Sequence, residues 1–341
     1  MKIRVGLIGL GDAWESRHRS ALLGMADRFE VRAVCCDVAR RAEQVAREFG
    51  AVPTDGFRSL ASRRDLDAIL MFSSGWFGPL PILAACDAGK AVYCASGIDV
   101  DMAGAQEIRR RVEQAGIAFM FEFPRRHAPA TLRLKELIAT RLGPARLLFC
   151  HVRMPSATAP APRNGHCVPD VTRGLLDLVD WCRYVVGAEP SSVFGVRHRV
   201  DATSDRSDYQ MMSLDFSPPD AAGSGAVAQI SCGRYMPSNW PEAITFRPPA
   251  ALQVACEKGI AFIDLPTGLV WFDEAGRHME SLENERPVGD QLLRQFYRSI
   301  TSLLRKTGDI EDVYRDLRIV AGATQSFEQG VRVDLNSLDP A

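Results

Sequence analysis

The sequence carries almost no net charge and has no hydrophobic run long enough to span a bilayer. Its 41 Lys and Arg residues are balanced by 42 Asp and Glu residues, which leaves a formal charge of -1. A nearly neutral chain is a poor candidate for a nucleic-acid or membrane surface. The apolar pattern starts at Ile3 without the charged leader and apolar segment of a signal peptide before it. We therefore expect a cytoplasmic protein that binds neither nucleic acid nor membranes.

Cysteine spacing and lysine scarcity limit the chemistry further. The chain has nine cysteines, and no two of them form a C-x-x-C pair. This pattern predicts neither a zinc site nor a disulfide framework, and the sequence shows no cluster of metal ligands. Arginine supplies most of the positive charge, because the only lysines are Lys2, Lys90, Lys135, Lys258 and Lys306. A reaction that needs a lysine therefore has few candidates.

The stretch from Lys2 to Leu22 reads as a buried strand, a glycine turn and a helix. Backbone N–H groups and the helix dipole meet at such a turn, which predicts a phosphate site. In the full G-x-G-x-x-G/A pattern the last small residue lets the helix pack closely on the strand, but here Trp14 takes that position. A plain strand-to-helix connection is the alternative. If a dinucleotide binds, we expect it to contact Gly9, Gly11, Asp12, Ala13 and Trp14.

Asp37 follows the second apolar strand, Phe29 to Cys36. In dinucleotide-binding folds a carboxylate at this point binds the adenine ribose hydroxyls and repels a 2′-phosphate. We therefore expect NAD as the cofactor, although Arg40 and Arg41 weaken the preference and leave NADP possible. The alternative is that Asp37 only caps the following helix.

Strands and helices continue to alternate up to about residue 122, which predicts a parallel sheet. A strand at 67–72 precedes a helix at 79–88, and a strand at 91–94 precedes a helix capped by Asp99 or Asp101. Ligands of doubly wound sheets lie across the carboxyl ends of the strands. We therefore expect Phe72, Ser73 and Ser74 to line the cofactor channel.

The second half contains further strands, a long irregular segment and two C-terminal helices. The strands, from 147–154 to 260–265, are separated by Pro and Gly turns and should form one largely antiparallel sheet. The segment 155–170 is too rich in Pro, Ala and Gly for regular structure. Helical apolar spacing at 290–306 and 310–328 predicts two amphipathic helices.

The chain resembles the glucose-fructose oxidoreductase, inositol dehydrogenase and MocA family. The similarity is carried by GLIGLGD with His18, by Asp37, by AACDAGKAVYC at 84–94, FPRRHAPATLRLKELI at 123–138, LVDWCRYVVGAEP at 178–190 and ATQSFEQGVRVDL at 323–335. The resemblance implies an α/β protein with a Rossmann NAD(P)-binding domain at 1–122. It also implies an α+β domain at 123–341 with a large, mostly antiparallel sheet. That second domain would form one wall of the substrate site and the interface of a homodimer or homotetramer.

Two signatures of the family are incomplete in this sequence. The family's Glu-Lys-Pro corresponds to Ala95-Ser96-Gly97, so the lysine is absent and Ser96 is left as a cofactor contact. In the family's Asp-x-Gly-x-His-x-x-Asp pattern, ungapped alignment puts the histidine on Asp177 and the last aspartate on Asp180. Other registers place the first aspartate on Asp177 or pair Asp170 with Asp177. The histidine is missing in every register.

Three residues remain as candidates for proton transfer. Asp177 and Asp180 are spaced i and i+3 and share a helix face, so one could have a raised pKa. They could equally be acids that favour the start of a helix. His166, in the irregular segment, is a candidate for a relocated acid or base, or an exposed histidine without a role. Arg125, Arg126 and His127 could face an anionic substrate or only tie the domains together.

Two classes of function follow from this pattern. The first is an NAD(P)-dependent oxidoreductase that acts on a small hydroxyl or carbonyl compound, with proton transfer moved to Asp177, Asp180, His166 or solvent. The second is a non-redox protein on the same fold: a dinucleotide- or ligand-binding regulator, a partner subunit or a non-redox enzyme. Loss of the lysine and histidine favours the second class, whereas the family resemblance favours the first.

Overall fold

The protein is described by a computed structural model of the 341-residue chain. The structure describes residues 2–73, 75, 77–95, 101–155, 170–199, 208–236, 239–240, 242, 250–283, 285–302 and 308–338. Within these residues the chain forms two compact units. The first contains 2–122 and 286–314, and the second contains the other described residues. The sequence-based division at residue 122 assigned 286–314 to the second domain, and in this respect the structure differs.

The first unit is built on a six-stranded parallel sheet, which confirms the α/β prediction. Its strands are β1 Ile3–Ile8, β2 Phe29–Cys35, β3 Val52–Pro53, β4 Ala68–Met71, β5 Ala91–Cys94 and β6 Phe119–Phe121. Their spatial order is β3-β2-β1-β4-β5-β6. The short strands β1, β4 and β5 are almost entirely apolar and buried, as expected for a sheet covered on both faces. The order reverses between β1 and β4, where such folds bind ligands.

Helices connect these strands. They are α1 Arg19–Gly24, preceded by a π-helical turn Trp14–His18, then α2 Ala39–Phe49, α3 Phe57–Ala61, α4 Leu80–Asp87 and α5 Met102–Ala115. Asp101, one of the two predicted caps, caps α5 by accepting a hydrogen bond from the Gly104 N–H. A later helix, α8 Val288–Thr301, packs on α1 and belongs to this core through its buried Leu292, Leu293 and Phe296.

The second unit is built on a nine-stranded sheet. Its strands are β7 Ala145–Pro155, β8 Ser192–His198, β9 Tyr209–Asp215, β10 Val227–Met236, β11 Leu252–Cys256, β12 Ile260–Asp264, β13 Gly268–Asp273, β14 Gly276–Ser281 and β15 Val333–Asp334. Their order is β14-β13-β12-β11-β7-β10-β9-β8-β15. All described pairs are antiparallel except β7 with β10, so the prediction of a mostly antiparallel sheet is confirmed.

One face of this sheet is covered by helices. These are α6 Pro129–Leu137, with a π-helical turn Ile138–Leu142, and α7 Asp170–Val186, while α9 Gly308–Gln329 adds further core contacts. Apolar residues of α7 recur every three or four positions and are buried against β7 and β10. Within the described residues no helix is both long enough and apolar enough to cross a membrane.

Candidate functional site

The glycine turn after β1 is shaped by contact with the segment after β4. Gly9 has φ +65°, and a Cβ at this residue would lie 2.5 Å from the Ser73 carbonyl oxygen. A Cβ at Gly11 would lie 3.0 Å from the Ser73 Cβ. Both glycines are therefore needed for the close approach of the two segments. The helix begins at Asp12, so the N–H groups of Asp12 and Ala13 belong to its first turn, where such groups lack acceptors within the helix.

Trp14 lies inside the first unit. Its side chain is completely buried, and its ring packs against Phe49 and Phe72 with centroid distances of 5.7 and 5.3 Å. The helix makes room for it by a wider turn, in which the Arg19 N–H bonds to the Trp14 carbonyl oxygen. The prediction that Trp14 contacts the cofactor can therefore hold only for its backbone. The indole lies in the core, whereas Asp12, at the start of the helix, is exposed.

Asp37 is exposed at the carboxyl end of β2. Its Oδ1 lies 2.9 Å from the Cys36 Sγ, whose thiol donates to it. The N-cap residue of α2 is Val38, and no side chain caps this helix, so the alternative role of Asp37 as a cap is wrong. Nearby, Arg41 pairs with Glu15 at 2.7 Å. The exposed carboxylate is thus placed where a dinucleotide fold binds the adenine ribose.

Two of the predicted channel residues after β4, Phe72 and Ser73, lie within the described part of the chain. Phe72 is buried and stacks on His18 with a centroid distance of 4.9 Å. It can therefore line a cofactor channel only through its backbone. Ser73 is partly exposed beside Gly11. The predicted contacts Ser74 and Ser96 and the candidate His166 lie outside the described residues.

A buried cluster centred on Glu122 was not anticipated from the sequence. Glu122 follows β6, and its carboxylate lies 2.6 Å from Arg17 Nη2 and 2.8 Å from His18 Nε2. The Tyr93 hydroxyl donates to the same carboxylate at 3.0 Å. Burial raises the pKa of Tyr93 well above its ordinary value, and the charge of Glu122 raises it further. The sequence signal was an acid directly after an apolar strand.

Asp180 is held by an ion pair within the second unit. Its carboxylate is 1% exposed and accepts two hydrogen bonds from Arg126, one from Nε at 2.9 Å and a shorter one from Nη2. The Arg126 guanidinium also lies 4.4 Å from the ring centroid of Phe123. Arg126, one of the three residues predicted to face an anionic substrate, is therefore paired with Asp180 inside the protein. The arrangement is typical of a structural ion pair.

A second buried pair lies close to Asp180. Arg183 Nη1 is 2.7 Å from Asp316 Oδ1, and Arg183 also binds Glu189 through Nε at 2.8 Å. Burial raises the pKa of Asp316 well above its usual range, and the Asp180 charge adds to this effect, while Arg183 opposes it. Asp180 and Asp316 thus share one buried network with two arginines.

Asp177 differs from Asp180 in its exposure. It is partly exposed on α7, one turn before Asp180. Burial raises the pKa of the Cys232 thiol on β10, and the charge of Asp177 also raises it. Helix α7 begins at Asp170, so neither acid lies in the first turn. The alternative that both acids serve the helix dipole is therefore not supported. Among the described residues no group of three His, Cys, Asp or Glu side chains could hold a metal ion.

Comparison with known proteins identifies the family of the first unit. A profile described as "Oxidoreductase family, NAD-binding Rossmann fold" (GFO_IDH_MocA) matches residues 3–123. An inositol 2-dehydrogenase of Cereibacter sphaeroides is 30% identical over 53% of this chain and 54% of its own length. An inositol 2-dehydrogenase of Rhizobium meliloti is 26% identical over 79% of this chain and 80% of its own length. The first of these alignments thus spans only about half of the relative.

Solved structures show that the fold extends over the whole chain. A levoglucosan dehydrogenase, solved in complex with NADH and levoglucosan, superposes with a TM-score of 0.82 at 17% identity and covers 98% of this chain and 100% of that one. Its similarity concerns the fold alone. The profile match therefore places residues 3–123 in the glucose-fructose oxidoreductase, inositol dehydrogenase and MocA family of oxidoreductases with an NAD-binding Rossmann fold, and the inositol 2-dehydrogenase alignments agree with it.

Proposed function

We propose that this protein is an NAD-dependent oxidoreductase that acts on a small hydroxyl or carbonyl compound. The observation that carries the proposal is the exposed carboxylate of Asp37 after β2, next to the glycine turn, in a parallel sheet of dinucleotide-binding topology. The printed functions of the relatives, inositol 2-dehydrogenase and levoglucosan dehydrogenase, agree with a polyol or sugar as the substrate class.

The residues of the first unit fit a dinucleotide. The first-turn N–H groups of Asp12 and Ala13, with the turn Gly9 to Gly11, would hold the pyrophosphate. Asp37 would accept hydrogen bonds from the adenine ribose and repel the 2′-phosphate of NADP, which supports NAD over NADP. Ser73 would flank the dinucleotide beside Gly11. The bound nicotinamide supplies or accepts the hydride.

Asp177 is the favoured candidate for proton transfer among the described residues. It is partly exposed, whereas the Asp180 carboxylate is 1% exposed. Hydride transfer without the family lysine is energetically reasonable. Positioning alone lowers a barrier by about 7–11 kcal/mol, and a general acid or base typically adds only about 10²–10⁴-fold.

A non-redox role on the same fold is the second candidate, and the positions of two lysines favour it. Lys90 donates to the Leu66 carbonyl oxygen at 2.8 Å, and Lys135 donates to the Tyr184 carbonyl oxygen at 3.0 Å. Burial lowers the pKa of both amines. Both lysines therefore have structural partners, and neither replaces the lysine of the family's Glu-Lys-Pro motif.

Calorimetric titration with NAD⁺, NADH, NADP⁺ and NADPH tests the proposal. We expect binding of NAD(H) in preference to NADP(H). In Asp37→Asn the preference should fall, because the charge that repels the 2′-phosphate is lost, whereas Asp27→Asn, at an exposed turn, should change nothing. Absence of binding of all four dinucleotides would refute the proposal. Binding without any change in nicotinamide absorbance on addition of inositols or sugars would favour the non-redox role.

A further inference from the structure

The Glu122 carboxylate contacts two side chains that come from one turn of a helix. Arg17 Nη2 lies 2.6 Å from its Oε1, and His18 Nε2 lies 2.8 Å from its Oε2. Arg17 and His18 are consecutive residues, and each contacts a different oxygen of the one carboxylate. The Glu122 and His18 side chains are completely buried. Such a contact fixes both the position and the rotation of the turn that carries Arg17 and His18.

That turn is the π-helical turn Trp14–His18. A π-helical turn is rare and occurs frequently at functional sites, where the surroundings hold a conformation that the chain would not keep alone. Here the Arg19 N–H bonds to the Trp14 carbonyl oxygen, one residue farther along than in an α-helix. Glu122 contacts the end of the turn through both residues, and the His18 ring also stacks on Phe72.

The same helix begins at Asp12, next to the glycine turn. In the full dinucleotide fingerprint, a small third residue sets the distance between helix and strand by close packing. Trp14 does not allow this close packing, because its buried indole lies between the helix and the rest of the core. Another contact must then determine where the first N–H groups of the helix lie.

We propose that Glu122 is a positioning residue for dinucleotide binding. Through Arg17 and His18 it holds the helix that begins at Asp12 in the place where the N–H groups of Asp12 and Ala13 would bind a pyrophosphate. Glu122 itself does not touch the dinucleotide. This inference rests on the proposed function, and it explains how the fold tolerates Trp14 in the turn.

Variants of the cluster separate positioning from general stability. Glu122→Gln keeps the shape of the side chain but places an N–H group against Arg17 or His18. Measured on protein that circular dichroism shows to be fully folded, the Kd for NADH should rise about tenfold or more, since a displaced first turn would lose hydrogen bonds to the charged pyrophosphate. Arg17→Met removes one of the two contacts at a partly exposed side chain, so it should fold readily, and it should raise the Kd as well.

Tyr93→Phe is the matched control. It removes the hydroxyl that donates to the same buried carboxylate and lies 3.5 Å from His18 Nε2, and it leaves the contacts of Glu122 with Arg17 and His18 in place. It should lower the melting temperature and leave the Kd unchanged. Native affinity in folded Glu122→Gln and Arg17→Met, or an equal loss in Tyr93→Phe, would overturn the inference alone. Failure of the wild-type protein to bind NADH would overturn the proposed function and this inference with it.

Discussion

Trp14 shows how far a single residue can be interpreted from sequence. Its position in the glycine motif correctly indicates that the fingerprint's close helix-to-strand packing is lost. The sequence does not reveal where the indole goes, because that depends on Phe49 and Phe72, which come from other elements. The widened turn that accommodates the ring has no local signature. The motif therefore predicts cofactor contacts made by the backbone better than contacts made by side chains.

Asp180 presents the same limit in a different form. The i, i+3 spacing with Asp177 was sufficient to predict a shared helix face, but not that Arg126 would lie against Asp180. The partner lies 54 positions away in the chain. A motif thus locates an acid on an element, while its role is set by a contact that only the fold creates.

Asp180→Asn tests the structural role of this acid. Breaking a buried ion pair leaves an uncompensated charge, so the free energy of unfolding should fall by about 3–5 kcal/mol. Asp65→Asn is the control, because it breaks the partly exposed pair with Arg63 and should cost no more than about 1 kcal/mol. Chemical denaturation followed by circular dichroism measures both. Unchanged stability with loss of turnover would instead assign Asp180 to catalysis.

At the scale of elements, sequence patterns located most helices and strands. Glycines with positive φ follow α2, α5 and α9 at Gly50, Gly116 and Gly330, as helix-ending residues should. The hairpin of β13 and β14 was not predicted, although the apolar residues of β13 could have indicated a strand; β14 is an edge strand whose residues are mostly exposed and polar. An edge strand of this kind lacks the apolar alternation by which strands are recognised.

The pairing of β1 with β4 carries a pH-dependent contact. Asp67, just before β4, binds Arg4 of β1 through Nε at 3.0 Å and Nη2 at 2.7 Å. These hydrogen bonds lower the pKa of Asp67 below its usual value. A depressed carboxyl pKa adds stability above the unfolded-state pKa of about 3.9. That stability is lost as the pH falls through the lower, folded-state pKa.

Asp67→Asn should therefore weaken the acid sensitivity of folding. Between pH 5 and pH 3 the urea midpoint of the wild-type protein should fall more steeply than that of the variant, because the variant has no carboxylate to protonate at this contact. The two proteins should differ most at pH 5 and converge at low pH. Parallel curves for the two proteins would contradict this contribution of Asp67.

At the scale of the whole molecule, the open face of the nine-stranded sheet is unusually apolar. The strand registers align one row of side chains across five strands, Phe149, Gln253, Phe262, Val270 and Met279, and a second row beside it, Leu147, Ala255, Ile260 and Phe272. Phe149, Phe272 and Met279 are 39%, 40% and 72% exposed. Antiparallel sheets that face water carry polar residues on the open side, and contiguous apolar patches mark interaction sites.

We expect this face to be covered by a second copy of the chain, in a homodimer or homotetramer. A two-fold contact would pair the same patch on both subunits, so one charge introduced at Phe149 would enter the interface twice. Phe149→Asp should lower the molar mass from light scattering to that of the monomer. It should leave the protein folded, as measured by circular dichroism. Leu23→Asp, at an exposed apolar residue of α1, should leave the mass unchanged. A wild-type protein that is monomeric at micromolar concentration would contradict the expectation, because the apolar rows would then face water without a partner.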